Sequence, residues 1–410
     1  MDFKKTEEEA SQVTETGIGN SVKGSIFGMP LRDWVTASVT LLATAILLPI
    51  SGEWTARHTF SSSGRIESCI LDPHSKEAPV GIPYSICHEK RAEAPASVEY
   101  RFDSCGRRSS IPCAPKSKGT YRIVLYGSSM AFGLNVPIEK TFAARLQRQL
   151  SQQLGRPVEI YNDSSIFGGS ERSLARHFDE IQSRQADLVL WALTPIDVAV
   201  ATASNASPSS AATPQKNATV AHLPQVKIFE DLFEKSRTVQ VVRHYLYILQ
   251  GPEKYTEAFM RGGGNNGESV LLRTADDPTQ IQRTRKLDEY IGQVADRSQS
   301  TGIPVVVTLL PNRALAAMIA SGSPPAHSDP YALDNELRTS SLAHNLVYLD
   351  ILPEYRRHPG AEAFYYPAEG HPNSDGHALI ADFIDQAILR AKVIPLNPPA
   401  QNPIHTTKAN

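Results

Sequence analysis

The chain has 410 residues, 41% of them apolar, and 41 basic against 43 acidic side chains for a formal net charge of −2. That length fits roughly two to three domain-sized units or one large α/β domain with additions, with enough apolar residues for a sizeable core. The near-neutral balance, with no long lysine or arginine run, argues against a nucleic acid as the main partner, because phosphate binding needs a basic surface.

Residues 1–30 are polar and acidic and read as a disordered cytoplasmic tail. From Trp34 to Ile50 the chain runs WVTASVTLLATAILLPI without a charge, between Arg32 and Asp33 on one side and Glu53 on the other. With Ser51 and Gly52 it approaches the roughly 17–20 residues that a membrane-crossing helix needs. The polar leader ahead of it, and the lack of a small-x-small cleavage site, favour a retained signal anchor over 31–52 rather than a cleaved signal peptide or a buried core helix. Orientation is poorly specified by charge: Lys23 and Arg32 precede the span, and Arg57 and Arg65 follow it.

The four cysteines, Cys69, Cys87, Cys105 and Cys113, cluster just after this span. An even cluster beside an exported boundary implies two disulfides in an oxidising, extracytoplasmic compartment, periplasm or cell surface. Zinc is the alternative, but no CxxC pair is present. Three pairings are possible and spacing does not choose among them. Residues 53–118, rich in Pro, Ser and Cys, read as a disulfide-braced collar.

At Tyr121 the texture changes. YRIVLY (121–126), PVEIYN (157–162), DLVLWAL (187–193), IPVVVTLL (303–310) and LVYLD (346–350) are short apolar runs predicted as five strands. Between and after them, apolar spacing predicts helices over about 139–154, 170–184, 225–260, 279–298, 330–343 and 375–392. Residues 201–222 are a low-complexity loop inside an insertion at about 201–280, the run Gly262–Gly264 is a linker, and 396–410 is a disordered tail. Strands alternating with helices imply an α/β fold over 119–395: a three-layer αβα sandwich with a mainly parallel five-stranded sheet, preceded by one transmembrane helix. Ligands of such sheets bind at the carboxyl ends of the strands.

Two loops at those ends carry chemistry. After the first strand stands Gly127-Ser128-Ser129-Met130-Ala131-Phe132-Gly133, where Ser129 can project into the crevice as a nucleophile beside backbone N–H donors. A serine-rich turn is the bland reading. After the last strand stands Glu369-Gly370-His371-Pro372-Asn373-Ser374-Asp375-Gly376-His377. His371 can take the Ser129 proton, and Glu369 can orient the imidazole. Other polar groups weigh less: His377 reads as the start of the closing helix, His177 as a solvated helix-face residue, and Asp197, Asp350, Asn312 and Arg313 as caps or crevice residues. No zinc motif, phosphate loop or dinucleotide fingerprint is present, so neither a metal nor a cofactor is expected.

These blocks resemble the SGNH/GDSL hydrolase family over roughly 100–390. GSSMAFGLNVPIEKTFAARL resembles its Gly-Asp-Ser block, VEIYNDSSIFGGSERSL its second block, ADLVLWALTPIDV its Gly-x-Asn-Asp block, and AEGHPNSDGHALIADFI its closing acid and histidine block. VEYRFDSCGRRS resembles a lead-in strand of some polysaccharide-modifying members. The resemblance implies an oxyanion hole from the Ser129 N–H and from Gly168 or Gly169. The chain departs from the pattern at Ser128, in place of the usual Asp, at Ile196, in place of the donor Asn, and in the Glu369-x-His371 spacing.

The expectation is therefore a membrane-tethered serine esterase or O-acyltransferase. It would act on ester-linked acyl groups, foremost acetyl, of an envelope or extracellular glycan or a small ester. The alternative is a catalytically impaired, glycan-binding component of a polysaccharide assembly or export apparatus. The oligomeric state is not set by the sequence.

Overall fold

Five apolar runs become one sheet, its three central strands buried on both faces. The computed structural model describes residues 25–26, 29–71, 80–166, 173–202, 236–262, 268–272 and 278–395. The chain divides into two units, 1–55 and 56–410.

In the first unit, β1 (Ser25–Ile26) and β2 (Met29–Pro30) form a minimal antiparallel ladder. The helix α1 (Leu31–Thr59) follows directly. Most of its apolar side chains are exposed, Val39, Leu41, Leu42, Leu47 and Leu48 each by 60% or more. Its 28 residues from Arg32 to Thr59 are long and apolar enough, by length and composition, to cross a membrane. The helix continues past the expected end at residue 52 to Thr59.

In the second unit, β3 (Ile86–Glu89) and β4 (Val98–Arg101) pair as an antiparallel ladder, with Cys87 opposite Tyr100. Disulfides join Cys69 to Cys87 and Cys105 to Cys113, so the structure selects sequential pairing from the three possibilities. A small core of Ile66, Ile70, Val98, Tyr100 and Phe102 forms around the first bridge.

The main sheet holds β5 (Tyr121–Gly127), β6 (Val158–Asn162), β7 (Leu188–Leu193), β8 (Val305–Leu309) and β9 (Val347–Leu349), in the order β6-β5-β7-β8-β9. Every pair is parallel, with Ile123 facing both Ile160 and Leu188, Val189 facing Val305, and Val306 facing Val347. Parallel strands covered on both faces read as continuous rather than alternating apolar runs, and all residues of β5, β7 and β8 are buried. β9 is a short edge strand with Val347 exposed.

Helix α2 (Ser129–Phe132) follows β5 at once, and α3 (Phe142–Leu154) returns to β6. Next come α4 (Phe178–Ser183), α5 (Pro195–Thr202), α6 (Arg237–Leu249), α7 (Pro252–Gly262) and α8 (Pro278–Thr301). The last four are α9 (Arg313–Ser321), α10 (Ala332–Ala343), α11 (Leu352–Tyr355) and α12 (Ser374–Ala391). α3 packs against α12, and α8 against α5 and α10; with right-handed crossovers the strand order puts these two groups on opposite faces of the sheet. That division puts the crevice at the carboxyl ends of β5 and β7, where the strand order reverses.

Several expected elements shift. Of the helix expected over 225–260, residues 225–235 lie outside the described residues, and the rest is two helices, α6 and α7, because Gly251 interrupts it and Pro252 starts the next; proline lacks the N–H that continuation needs but suits a first turn. Of the helix expected over 170–184, residues 170–172 lie outside the described residues, and the described part is helical mainly at Phe178–Ser183. The tails 1–24 and 396–410, residues 203–222 of the low-complexity loop and 263–264 of the glycine run lie outside the described residues.

Candidate active site

β5 ends at Gly127, where a Cβ would come within 2.6 Å of both the Ala131 Cβ and the Ala192 backbone oxygen. Only glycine lets the chain turn that closely into α2. Ser129 is therefore the first residue of α2, at the carboxyl end of β5 and partly exposed. The helix closes at Gly133, in the left-handed conformation at φ 81°. The guanidinium of Arg108, buried under the helix, donates to the carbonyls of Phe132, Gly133 and Val136 at 3.1, 2.6 and 2.6 Å. A cation at a helix carboxyl end meets carbonyls that have no partner within the helix.

The second loop is a tight turn. The Tyr366 N–H donates to the His371 carbonyl and the Gly370 N–H to the Tyr366 carbonyl, both at 2.9 Å. Gly370 takes a φ of 81° to allow this, a value that L side chains rarely adopt. The turn brings His371 Nε2 to 2.7 Å from Ser129 Oγ. On the other side of the ring, Nδ1 lies 2.9 Å from Glu369 Oε1, an ion-pair contact that is off-axis for a linear N–H bond. The other oxygen of Glu369 accepts from the His371 N–H at 3.1 Å. Three residues chosen on sequence grounds, from opposite ends of the domain, thus meet in one row.

The charges bear on one another. Burial pushes the His371 imidazole down, but Glu369 outweighs it, so its pKa is raised above the ordinary 6.5. Burial pushes Glu369 up, and His371 and then Arg91 overcome it, holding the carboxyl at about 2. An opposite charge at ion-pair distance favours both charged forms.

Asp197 is fully buried beside Ser128. Its Oδ2 accepts from Ser128 Oγ at 2.9 Å, from Thr194 Oγ1 at 2.7 Å and from the Thr194 N–H at 2.9 Å. Burial raises its pKa to about 6 against the pull of those bonds. The carboxylate absent at position 128 is thus supplied to the same turn from the first turn of α5, just after β7. Ile196, on the first turn of α5, offers no side-chain donor. Gly168 and Gly169 lie outside the described residues.

The remaining sequence candidates find structural places. His377 is fully buried, accepts from the Phe142 N–H at 3.2 Å and stacks on that ring; burial, then Arg108, lowers it to about 3. Asn312 caps α9 through the Leu315 N–H. Arg313 is buried and donates to the Pro367 and Tyr247 carbonyls at 2.6 and 3.0 Å. Asp350 pairs with Arg338 at 2.6 Å. His177 departs from its expected solvated place: it is partly buried, with Nδ1 3.2 Å from Tyr126 Oη, because the short α4 begins beside the end of β5.

Four site neighbours carry no motif. Asn135, buried and left-handed at φ 65°, donates to Glu369 Oε1 at 2.9 Å. Arg91 and Glu93 approach from the disulfide-braced segment. Glu268 bonds to Asn312 and is raised to about 7, chiefly by burial, despite Asn312, and further by Asp197. The asparagine's left-handed turn is the one feature a sequence reading can flag, because Asn tolerates it better than other non-glycine residues. Among the described residues no group of three or more His, Cys, Asp and Glu is placed to hold a metal ion.

No family model matches the chain, and no curated protein matches it. Solved structures do. A lipase/acylhydrolase from Enterococcus faecalis is 14% identical, with 66% of this chain and 96% of that one covered and a TM-score of 0.37. A catalytic mutant of an acetylxylan esterase from Geobacillus stearothermophilus is 11% identical over 65% and 94%, with a TM-score of 0.36. The psychrotrophic esterase EstA from Pseudoalteromonas sp., inhibited by monoethylphosphonate, is 12% identical over 66% and 98%, with a TM-score of 0.33.

Proposed function

We propose that this chain is a serine esterase or O-acyltransferase of the SGNH type, with Ser129 as nucleophile, His371 as base and Glu369 as the acid that orients it. The observation that carries this reading is the 2.7 Å contact between Ser129 Oγ and His371 Nε2, with Glu369 on the far side of the ring. Nucleophile, base and orienter in hydrogen-bond or ion-pair reach define the arrangement irrespective of sequence order.

The chemistry follows from the geometry. Ser129 Oγ attacks an ester carbonyl while its proton passes to His371 Nε2. The tetrahedral intermediate collapses, the C–O bond to the alcohol breaks, and His371 returns the proton to the leaving oxygen. Water or a sugar hydroxyl, deprotonated by His371, then attacks the acyl-enzyme and releases Ser129. The Ser129 N–H is one donor to the oxyanion, and Gly168 or Gly169 is the second in this reading. A missing side-chain donor at Ile196 costs about 10²–10³ in rate relative to a site that has one.

The substrate class proposed is an acetylated envelope or extracellular glycan. The apolar α1 and the two disulfides support a tethered domain in an oxidising compartment, facing such polymers. Full-length protein in detergent is expected to hydrolyse p-nitrophenyl acetate, to lose that activity in Ser129→Ala, and to be labelled at Ser129 by a fluorophosphonate. A wild-type rate no greater than that of Ser129→Ala overturns the enzymatic reading. It leaves the glycan-binding alternative, which Ile196 and Ser128 favour.

A further inference from the structure

The acid loop is not held by the sheet alone. Glu93, on the segment between β3 and β4, has a side chain only 8% exposed. Its carboxylate accepts from the backbone N–H of Ala368 at 3.0 and 3.1 Å and of Glu369 at 2.7 Å. His244 of α6 closes its remaining side at 2.5 Å. A buried carboxylate is tolerated where donors converge on it in this way. Two of those donors belong to the backbone that carries the catalytic acid.

Arg91 stands two residues earlier. Its Nη1 is 3.9 Å from Glu369 Oε1, the oxygen that also faces His371 Nδ1, and its Nε is 3.4 Å from Glu89 at the end of β3. β3 contains Cys87, bridged to Cys69. The same segment reaches the nucleophile side. Tyr100 Oη accepts from the Asn135 N–H at 2.9 Å, and the core around the first disulfide includes Phe132 and Leu134, which follow Ser129.

We propose that Arg91 and Glu93 are positioning residues of the Ser129–His371 site: Glu93 pins the backbone that carries Glu369, and Arg91 shares the Glu369 carboxylate with His371. The disulfide-braced segment is then part of the catalytic apparatus rather than a spacer. This rests on the esterase reading for its kinetic consequences, though not for its geometry. Four charged or titratable groups bear on His371: Glu369 from its own loop, Arg91 from the braced segment, Glu268 from the turn at 268–272 and His377 from α12. Glu369 raises its proton affinity and Arg91 lowers it. A clamp that served stability alone would leave the titration of His371 where it is.

The test uses the full chain in detergent and the variants Arg91→Met, Arg91→Lys, Glu93→Ala and Glu93→Gln. Arg91→Met is expected to move the acid limb of the kcat/KM profile to higher pH, and Arg91→Lys to restore it. Glu93→Ala is expected to lower kcat about 10- to 100-fold, the size of lost hydrogen bonds to a charged group, with KM little changed. Glu93→Gln, which keeps one acceptor, is expected to fall between. NMR titration of the His371 ring reads the Arg91 effect without turnover, so a wild type lacking Ser129-dependent activity sinks the esterase reading and leaves this one testable. If Arg91→Met does not fold, Arg91→Gln stands in, because it removes the same charge and keeps a polar head. A His371 titration superimposable on wild type in the folded variant that lacks the Arg91 charge overturns the proposal for Arg91. An unchanged kcat in a folded Glu93→Ala overturns it for Glu93.

Discussion

The Glu369 carboxylate serves His371, Asn135 and Arg91 together. That sharing sets the direction of a pH effect. A base must be neutral to accept the Ser129 proton, so kcat/KM falls as pH drops through the His371 pKa. That pKa lies above the ordinary 6.5, because Glu369 outweighs the effect of burial. Glu369→Gln removes the raising charge and keeps the shape. The acid limb should move to lower pH, and kcat should fall by up to about 10⁴-fold as the imidazole loses its orienting partner; a pH–rate profile of the folded variant checks both. Asp197 shows the limit of motif reading at this scale. The motif position 128 lacks its carboxylate, yet the Asp197 carboxylate reaches the same turn from the first turn of α5, just after β7, and accepts from the Ser128 hydroxyl.

Among the elements, the braced segment departs furthest from its sequence reading. Composition marks it as a collar because its apolar runs are short and its cysteines dense. Its place in the fold comes from contacts made far along the chain, with the loop at Ala368 and Glu369 and with Phe132 and Leu134 beyond Ser129. The Cys69–Cys87 bridge closes a loop with a sequence separation of 18. Loop-closure entropy for a loop of that size is about 3 kcal/mol. The double variant Cys69→Ser, Cys87→Ser should therefore show a lower Tm in differential scanning calorimetry and, through Arg91 and Glu93, reduced esterase activity below that Tm. The strands were easier to read. β5, β7 and β8 are unbroken apolar runs because both faces are covered, and such runs announce parallel pairing.

For the whole molecule, most apolar side chains of α1 are exposed, and the domain that follows carries two disulfides. Expressed full-length chain should sediment with membranes and resist alkaline carbonate extraction, whereas a chain lacking residues 1–55 should appear in the supernatant. Recovery of both forms in the supernatant would count against a membrane anchor. Net charge near zero gives no strong electrostatic attraction to anionic lipid, so retention has to come from the apolar helix.

The sequence by itself determined what local chemistry and periodicity decide: the apolar span, the five strands and their parallel class, and the loops that hold Ser129, Glu369 and His371. Those features are written in neighbouring residues, because strand ends and turns follow from runs of apolar side chains and from glycines such as Gly127 and Gly370. Only the tertiary structure decided the pairing of the cysteines, the contact of His177 with Tyr126 and the supply of Asp197 to the turn at Ser128. It also brought Arg91, Glu93, Asn135 and Glu268 to the site. Each of these depends on contacts between segments distant in the chain, formed when the sheet closes its crevice, and no spacing along the chain encodes them.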